Sequence, residues 1–235
     1  MKQTFFITGT TKGVPLALVK ILLSQGHRVI ATVHHRQPEI QAELSITNYP
    51  NLTLLHLDFT DNTTFLKLEE DLQRLGNIVI DVFISHATLN KPIESEPLLE
   101  TAYTTYVKYF QVNTLGPLEL LKVIKPYMVR SQFKKIILTS SALNDKNSKG
   151  QVRGNPYTIA KAGLSLIAFQ LSEELKQEGF IVISYYPGLH KGCDGTDDTA
   201  MEVEEAAGAE LELVDGLTLE QSGLYLDHRG NSLNR

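Results

Sequence analysis

Short runs of apolar and β-branched residues alternate along the chain with longer segments in which apolar positions recur every three or four residues. The short runs predict strands, and the longer segments predict helices that bury one face. The predicted strands are Thr4–Thr8, Arg28–Val33, Leu52–Leu57, Ile80–Ser85, Lys135–Thr139, Ile181–Tyr185 and Leu224–Leu226. The predicted helices are Val14–Ser24, Thr63–Leu75, Leu98–Met128 and Tyr157–Lys176.

This alternation predicts the fold class. Crossovers from strand to helix to strand are right-handed, and they cover both faces of a parallel sheet with helices. We therefore expect an α/β, Rossmann-like doubly wound fold with a seven-stranded parallel sheet and helices on both faces. A length of 235 residues suits one such core, so residues 1–235 are expected to form a single domain. Ligands bind at the carboxyl edge of such sheets, where the loops Asn144–Asn155 and Gly188–Thr199 are expected to lie.

Composition narrows the possible partners. The net charge is −5, and no cluster of basic residues is longer than Lys134-Lys135, which argues against nucleic acid as a partner. The apolar runs are too short to span a membrane, and the chain opens on a strand-like segment rather than a signal peptide. The single cysteine, Cys193, cannot form an internal disulfide. We expect a cytoplasmic protein that acts on small molecules.

A glycine-bearing turn, TGTTKGVP at residues 8–15, connects the first strand to the first helix. Gly9 suits a tight turn, and Gly13 lets the backbone approach a pyrophosphate at the N-terminus of the following helix. Glycine also serves strand-to-helix turns that bind no ligand, and that alternative remains open.

The turn resembles the TGxxxGxG turn of the short-chain dehydrogenase/reductase family, with Pro15 in place of the third glycine. The resemblance implies a dinucleotide-binding domain that holds NAD or NADP. The cofactor contacts that it implies in this turn are Gly9, Thr11, Lys12, Gly13 and Val14.

The end of the second strand favours one cofactor. Enzymes that prefer NAD usually carry an acidic residue here for the ribose 2′-hydroxyl, whereas this chain has no acid before Glu39. Lys12 and Arg36 together would neutralise a 2′-phosphate. NADP(H) is therefore expected, and NAD(H) less so; the alternative is that both side chains are ordinary surface charges.

Further segments resemble the cofactor site of the same family. LDFT at residues 57–60 is similar to its LDVT segment, whose aspartate accepts a hydrogen bond from adenine, although a helix cap is an alternative here. The fourth strand runs into Ser85-His86-Ala87-Thr88 where the family has NNAG, so only Ala87 matches and His86 is a mismatch. A PG turn follows the sixth strand, beside the expected nicotinamide. The contacts implied are Asp58, Phe59, Ala87, Pro187 and Gly188.

The most informative motif is YTIAK, in which Tyr157 and Lys161 lie four residues apart on one helix face. A nearby cation favours the phenolate and lowers the pKa of the phenol, as a general acid/base requires. By itself the pair is equally compatible with a surface pair on an amphipathic helix. The preceding strand, however, ends in Ser140-Ser141 at the edge where ligands bind.

This arrangement resembles the family's ISS…YxxxK active site. The resemblance implies that Ser141 orients the substrate carbonyl, Tyr157 transfers the proton, and Lys161 lowers the tyrosine pKa and binds the nicotinamide ribose. The separation of 16 positions between Ser141 and Tyr157 is similar to that of the C-factor and sniffer-like carbonyl reductases. Ser140 or a loop residue remains an alternative to Ser141.

Asn113 is the fourth catalytic candidate. Pro117 has no N–H for the carbonyl four residues earlier, so the backbone oxygen of Asn113 is predicted to lack a helical partner. The family resemblance implies that this oxygen holds a water that connects to the active-site lysine. A kink with a purely structural role is the alternative.

These features predict an NADP(H)-dependent oxidoreductase acting on a carbonyl or alcohol. A non-catalytic NADP(H)-binding sensor or interaction protein is the alternative, and a sugar-nucleotide epimerase is disfavoured by the short C-terminal part. No third ligand or triad partner accompanies His190 and Cys193, so no metal is expected. The family resemblance implies a homodimer or homotetramer, paired through the helix that carries the apolar residues Leu164, Leu166, Ile167, Phe169 and Leu171.

Overall fold

The protein's structure is a computed structural model that describes residues 1–34, 49–89, 97–141, 156–191 and 200–234. Seven strands pair in parallel in the order β3-β2-β1-β4-β5-β6-β7. They are β1 Thr4–Thr8, β2 Arg28–Val33, β3 Leu52–His56, β4 Val82–Ser85, β5 Lys135–Thr139, β6 Ile181–Tyr186 and β7 Tyr225–Asp227. The predicted parallel sheet is confirmed, and its strands differ from the predicted ones only at their ends.

Helices cover both faces of the sheet, which confirms the doubly wound architecture. The helices are α1 Gly13–Ser24, α2 Asn62–Arg74, α3 Tyr103–Phe110, α4 Gly116–Met128, α5 Pro156–Glu174 and α6 Val203–Gly216. Alternate side chains of a strand point to opposite faces, so Phe5 and Ile7 pack beneath α1 and α6, whereas Phe6 packs beneath α2, α4 and α5. The carboxyl ends of β1, β4, β5 and β6 therefore share one edge, at the point where the strand order reverses.

The predicted helix Leu98–Met128 is wrong in two respects. It begins only at Tyr103, and the residues Gln111–Leu115 form a π-helical segment between α3 and α4. The N–H of Gly116 donates to the carbonyl of Gln111, five residues earlier. Proline at 117 removes the donor that an α-helix needs there, and a π-helical register is one way in which a helix accommodates that loss.

Helix α6 was absent from the prediction. Two of its five buried residues are alanines and one is a glutamate. The sequence therefore lacks the continuous stripe of large apolar residues that marks a core-facing helix. The buried residues are Ala206, Ala207, Glu210, Leu211 and Val214. Within the described parts of the chain, none of the helices has both the length and the apolar character needed to cross a membrane.

Candidate active site

The turn between β1 and α1 is built around two glycines in left-handed backbone conformations, Gly9 with φ +73° and Gly13 with φ +65°. A Cβ atom on Gly9 would lie 2.8 Å from the Cα of Ala87. The backbone N–H of Ala87 also donates to the Thr8 hydroxyl at 2.9 Å. Ala87, the one position that matches NNAG, is thus the residue that packs on the turn.

The other side of the turn is attached to β2. The backbone N–H and the hydroxyl of Thr10 both lie 3.1 Å from the carbonyl oxygen of Thr32. Lys12 is exposed and precedes α1 in extended conformation, and its side chain does not cap the helix. A Cβ on Gly13 would contact no atom within 4 Å. Backbone N–H groups at a helix N-terminus beside open space suit a pyrophosphate, so the residues present fit the predicted dinucleotide.

Asp58 lies where the resemblance places the adenine contact. Its carboxylate accepts hydrogen bonds from the Thr60 backbone at 2.8 Å and the Thr60 hydroxyl at 2.7 Å, and lies 3.1 Å from His34 Nε2. Burial alone would raise the pKa of this carboxyl, but the bonds from Thr60 and the charge of His34 outweigh it and lower the pKa. Of the two candidates for a helix cap after this segment, Asp61 and Thr60, it is Asp61 that caps α2, accepting from the Thr63 N–H at 2.9 Å.

Three other predicted cofactor contacts, Phe59, Pro187 and Gly188, are buried. The ring of Phe59 is buried and stacks on Phe65 with a centroid distance of 6.0 Å, so a cofactor contact by Phe59 would have to come from its backbone. Pro187 is buried, and Gly188 has φ +79°. This left-handed backbone conformation favours glycine at position 188.

Several sequence predictions lie outside the described residues. Arg36 is one, as are the loop residues 144–155 and the part of the second loop from 192 to 199, which includes Cys193. Among the residues that the structure does describe, no three His, Cys, Asp or Glu side chains are grouped as metal ligands.

Lys161 lies in the interior although it carries an ammonium group, with only 2% of its surface exposed. Its Nζ donates to the carbonyl of Thr139 at 2.7 Å and lies 5.8 Å from the centroid of the Tyr157 ring. Burial lowers the pKa of Lys161 to about 7. The ammonium is therefore close to half protonated near neutral pH, directly beside the predicted proton donor.

A pH dependence of stability follows from this burial. Unfolded lysine keeps its proton up to its ordinary pKa of 10.5, whereas folded Lys161 loses it above about 7. Between these values the unfolded state binds more protons, so the native free energy of unfolding should rise by about 1.4 kcal/mol per pH unit. The variant Lys161→Met should lack this rise, as measured by urea unfolding across the window, while the exposed Lys122→Met should keep it. Equal pH slopes for native protein and Lys161→Met would contradict the assignment.

The two serines after β5 are both buried. Ser140 is buried, and its hydroxyl lies 2.7 Å from that of Ser165 and donates to the carbonyl of Lys161 at 3.2 Å. This hydroxyl is therefore engaged in fixing α5 to the sheet. That Ser141 orients a substrate stays a prediction.

Asn113 lies on the π-helical segment and is fully buried. Its side-chain oxygen accepts from the Thr88 hydroxyl at 2.9 Å and the Leu89 N–H at 2.7 Å, and its amide nitrogen donates to the Leu89 carbonyl at 3.0 Å. The amide thus fastens the chain that follows β4. Any contact with a catalytic water would fall to the Asn113 backbone carbonyl, which stays a prediction.

The π-helical segment is also joined to the helix that carries the Tyr-Lys pair. The hydroxyl of Thr114 donates to the carbonyl of Ala160 at 2.7 Å, and Ala160 directly precedes Lys161. Three of the four catalytic candidates, Asn113, Tyr157 and Lys161, are therefore brought into one connected region at the carboxyl edge of the sheet.

Sequence reasoning missed a buried pair beside this site. His86 Nε2 lies 2.9 and 3.0 Å from the two carboxylate oxygens of Glu210, and the side chains are 6% and 0% exposed. His86 follows β4 within the NNAG position and was noted only as a mismatch. The sequence could have indicated that Glu210 is buried. It lies four residues after Ala206 and four before Val214, on the same helix face.

A turn that fits a dinucleotide and the Tyr-Lys pair thus lie at the same edge of a Rossmann-type sheet. Residues 3–203 match the sequence model of the short chain dehydrogenases, and the chain belongs to this family. The family predicted from the sequence motifs is confirmed.

Individual relatives are distant in sequence. An uncharacterized oxidoreductase of Saccharomyces cerevisiae is 24% identical over 247 residues, covering 97% of this chain and 96% of its own. The C-signal protein of Myxococcus xanthus is 24% identical over 56% of this chain and 79% of its own. Among solved structures, the NADPH-bound carbonyl reductase from chicken fatty liver has a TM-score of 0.90 at 20% identity, covering 100% and 94% of the two chains. Carbonyl reductase Sniffer of D. melanogaster has a TM-score of 0.90 at 21% identity, covering both chains fully.

Proposed function

We propose that the protein is an NADP(H)-dependent oxidoreductase that transfers a hydride between nicotinamide and a carbonyl or alcohol, with Tyr157 as general acid/base. The observation that carries this proposal is the buried Lys161, whose ammonium lies beside the Tyr157 ring and has a pKa near neutrality. Burying a cation is costly. A buried ammonium next to a phenol, at the sheet edge where ligands bind, would lower the pKa of that phenol for proton transfer.

The proposed roles follow from these positions. A bound reduced nicotinamide would supply the hydride to the carbonyl carbon. The Tyr157 hydroxyl delivers a proton to the carbonyl oxygen, and the Lys161 ammonium stabilises the phenolate that this leaves behind. The Ser141 hydroxyl donates to the same oxygen and fixes its position. The Asn113 backbone carbonyl holds a water, and the Tyr157 phenolate regains its proton from that water.

The experiment that tests this function is turnover of a panel of aldehydes and ketones with NADPH, followed by NADPH oxidation. Reduction of at least one carbonyl, abolished by loss of the Tyr157 hydroxyl, is the expected result. NADPH binding without reduction of any carbonyl would instead favour a non-catalytic sensor on the same fold.

The preference for NADP(H) rests on two features. Lys12 is exposed in the glycine-bearing turn of residues 8–15, hereafter the phosphate turn, and no acidic residue lies between Ala31 and His34. The chicken carbonyl reductase and a Burkholderia multivorans relative in fold were solved with NADPH and NADP bound. Both observations support a site that accepts the 2′-phosphate.

The variant Lys12→Ala should narrow the preference for NADPH over NADH. Loss of a charge-assisted contact to phosphate costs about 1.5–3 kcal/mol, so the ratio of the two Kd values should fall by about tenfold or more. Calorimetric titration with both cofactors measures the ratio, and Lys20→Ala on the outer part of α1 is the control. Equal affinity of the native protein for NADPH and NADH would refute the preference.

Self-association through α5 is also proposed. Leu166 and Phe169 on α5 are 53% and 40% exposed, and Phe110 on the adjoining α3 is 38% exposed. Leu164 and Leu171, by contrast, face the core. A contiguous exposed apolar face on two packed helices is typical of an interface between copies of a chain.

Leu166→Glu should yield a monomer in light scattering, because it places a charge in this face. Leu219→Glu, at a similarly exposed leucine elsewhere, should not. A monomeric native protein would refute the interface.

A further inference from the structure

The hydrogen-bonded pair of His86 and Glu210 is buried outside the proposed catalytic machinery. Helix α6 brings the carboxylate of Glu210 to the sheet, where both of its oxygens lie within 3.0 Å of the same imidazole nitrogen. Neither side chain is appreciably exposed. Removing two such groups from water is costly, and a well-packed apolar pair of similar volume often serves stability at least as well. Stability alone therefore does not explain the pair.

Its position suggests a reason. His86 is the first residue of the segment His86–Leu89, whose other residues contact two separate parts of the proposed active site. Ala87 packs on Gly9 and donates its backbone N–H to Thr8, both in the phosphate turn. Through Ala87, the segment fixes the backbone of the turn that would receive the pyrophosphate.

The far end of the same segment is held by Asn113. The Thr88 hydroxyl and the Leu89 N–H both donate to the Asn113 side-chain oxygen, and the Leu89 carbonyl accepts from its amide nitrogen. The segment is thus bonded to the phosphate turn in its middle and to the π-helical segment at its end. Its beginning is held by the carboxylate of Glu210.

Tyr185 is a further ionisable side chain near Glu210, but its hydroxyl makes no hydrogen bond to a described residue. Tyr185 is buried on β6, and burial, followed by the charges of Glu210 and Asp227, raises the pKa of its phenol above the usual range. Asp227 is itself bonded to Asn231 and to the backbone of Arg229. Among the described residues, the contact that anchors Glu210 is therefore the one to His86.

We propose that His86 is a positioning residue for the proposed reaction, held by Glu210 so that the segment His86–Leu89 keeps the phosphate turn and Asn113 in one geometry. This inference rests on the proposed function. A hydrogen-bonded pair fixes direction as well as distance, which apolar packing in the same space does not, and small displacements of positioning groups are known to cost up to about 10²-fold in rate.

The test separates positioning from stability with three variants. Glu210→Gln keeps an acceptor for His86 Nε2, Glu210→Met removes it, and the double variant His86→Leu/Glu210→Met replaces the pair by apolar side chains. Lys135→Met is the matched control, because buried Lys135 also ties α6 to the sheet, through the carbonyls of Val214 and Asp215, but touches neither end of the segment. Each is measured for thermal melting, NADPH Kd by fluorescence titration, and kcat and KM with an active carbonyl.

The double variant is expected to melt close to the native protein while its NADPH Kd rises about tenfold and its kcat/KM falls about 10- to 100-fold. Glu210→Gln should keep a Kd close to native, and Lys135→Met should lower the melting temperature without changing Kd. A double variant with native Kd and native kcat/KM would overturn the proposal and leave the pair a structural one, even if Glu210→Met fails to fold.

Failure of the proposed function is visible separately. A native protein that binds NADPH but reduces no carbonyl would refute the reaction, while the NADPH Kd of the double variant would still decide whether the pair positions the turn. A native protein that does not bind NADPH would overturn both.

Discussion

Tyr157→Phe is expected to lower kcat by about 10² to 10⁴-fold, which is the usual contribution of a positioned proton donor. The ring of Tyr157 remains, and so does its neighbour Lys161, whose Nζ lies 5.8 Å from the ring centroid. NADPH should therefore bind with nearly native Kd. Turnover is followed by NADPH oxidation and binding by fluorescence titration. Tyr103→Phe, at a tyrosine that is 80% exposed on α3, serves as the control and should behave like the native protein.

Comparison with Lys161→Ala makes the result more specific. That change removes both the charge beside the phenol and the proposed ribose contact, so kcat should fall and the cofactor Kd should rise together. Near-native turnover of Tyr157→Phe on a substrate that the native protein reduces would show that the tyrosine is not the proton donor.

Gly9→Ala is expected to have the largest effect on the fold. The left-handed conformation of Gly9 costs another residue about 1–2 kcal/mol. The added methyl would also lie 2.8 Å from the Cα of Ala87, and such overpacking costs about 1–3 kcal/mol more. Urea unfolding without cofactor should show this loss, and NADPH binding should weaken because Ala87 and the turn are forced apart.

Gly13→Ala is the matched control, because the two glycines share a positive φ but not their surroundings. An added methyl on Gly13 meets no protein atom, so only the conformational cost of about 1–2 kcal/mol applies to unfolding. It would, however, stand where the pyrophosphate is expected, so the NADPH Kd should rise. If both variants lose the same stability, the close approach of Ala87 does not constrain the turn.

The sequence predicts the sheet well because its central strands are buried on both faces. Strands such as Thr4–Thr8 consist of continuous apolar or β-branched residues. The sequence also indicated Tyr157 and Lys161 as candidates, because their spacing of four residues places both on one helix face. The lowered pKa of Lys161 required the structure, because it depends on burial beneath residues that are distant in sequence.

What the sequence did not predict depends on tertiary contacts. Helix α6 buries alanines and Glu210 rather than an apolar stripe, so its pattern becomes recognisable only when His86 is known to face it. The kink near Pro117 was predicted from the missing N–H, but the form that it takes, a π-helical segment, depends on how Asn113 and Thr114 bond to neighbouring chains.

The packing of α1 against α6 has a consequence for how the chain folds during synthesis. Leu18 and Leu22 of α1 belong to the same buried cluster as Leu211 and Val214 of α6, which are made almost 190 residues later. Contacts so distant in sequence form late, and apolar surface that waits for them is prone to aggregation. Until α6 has been synthesised, the apolar side chains of α1 that pack against it stay uncovered, although its other contacts, with β1 and β2, can already form.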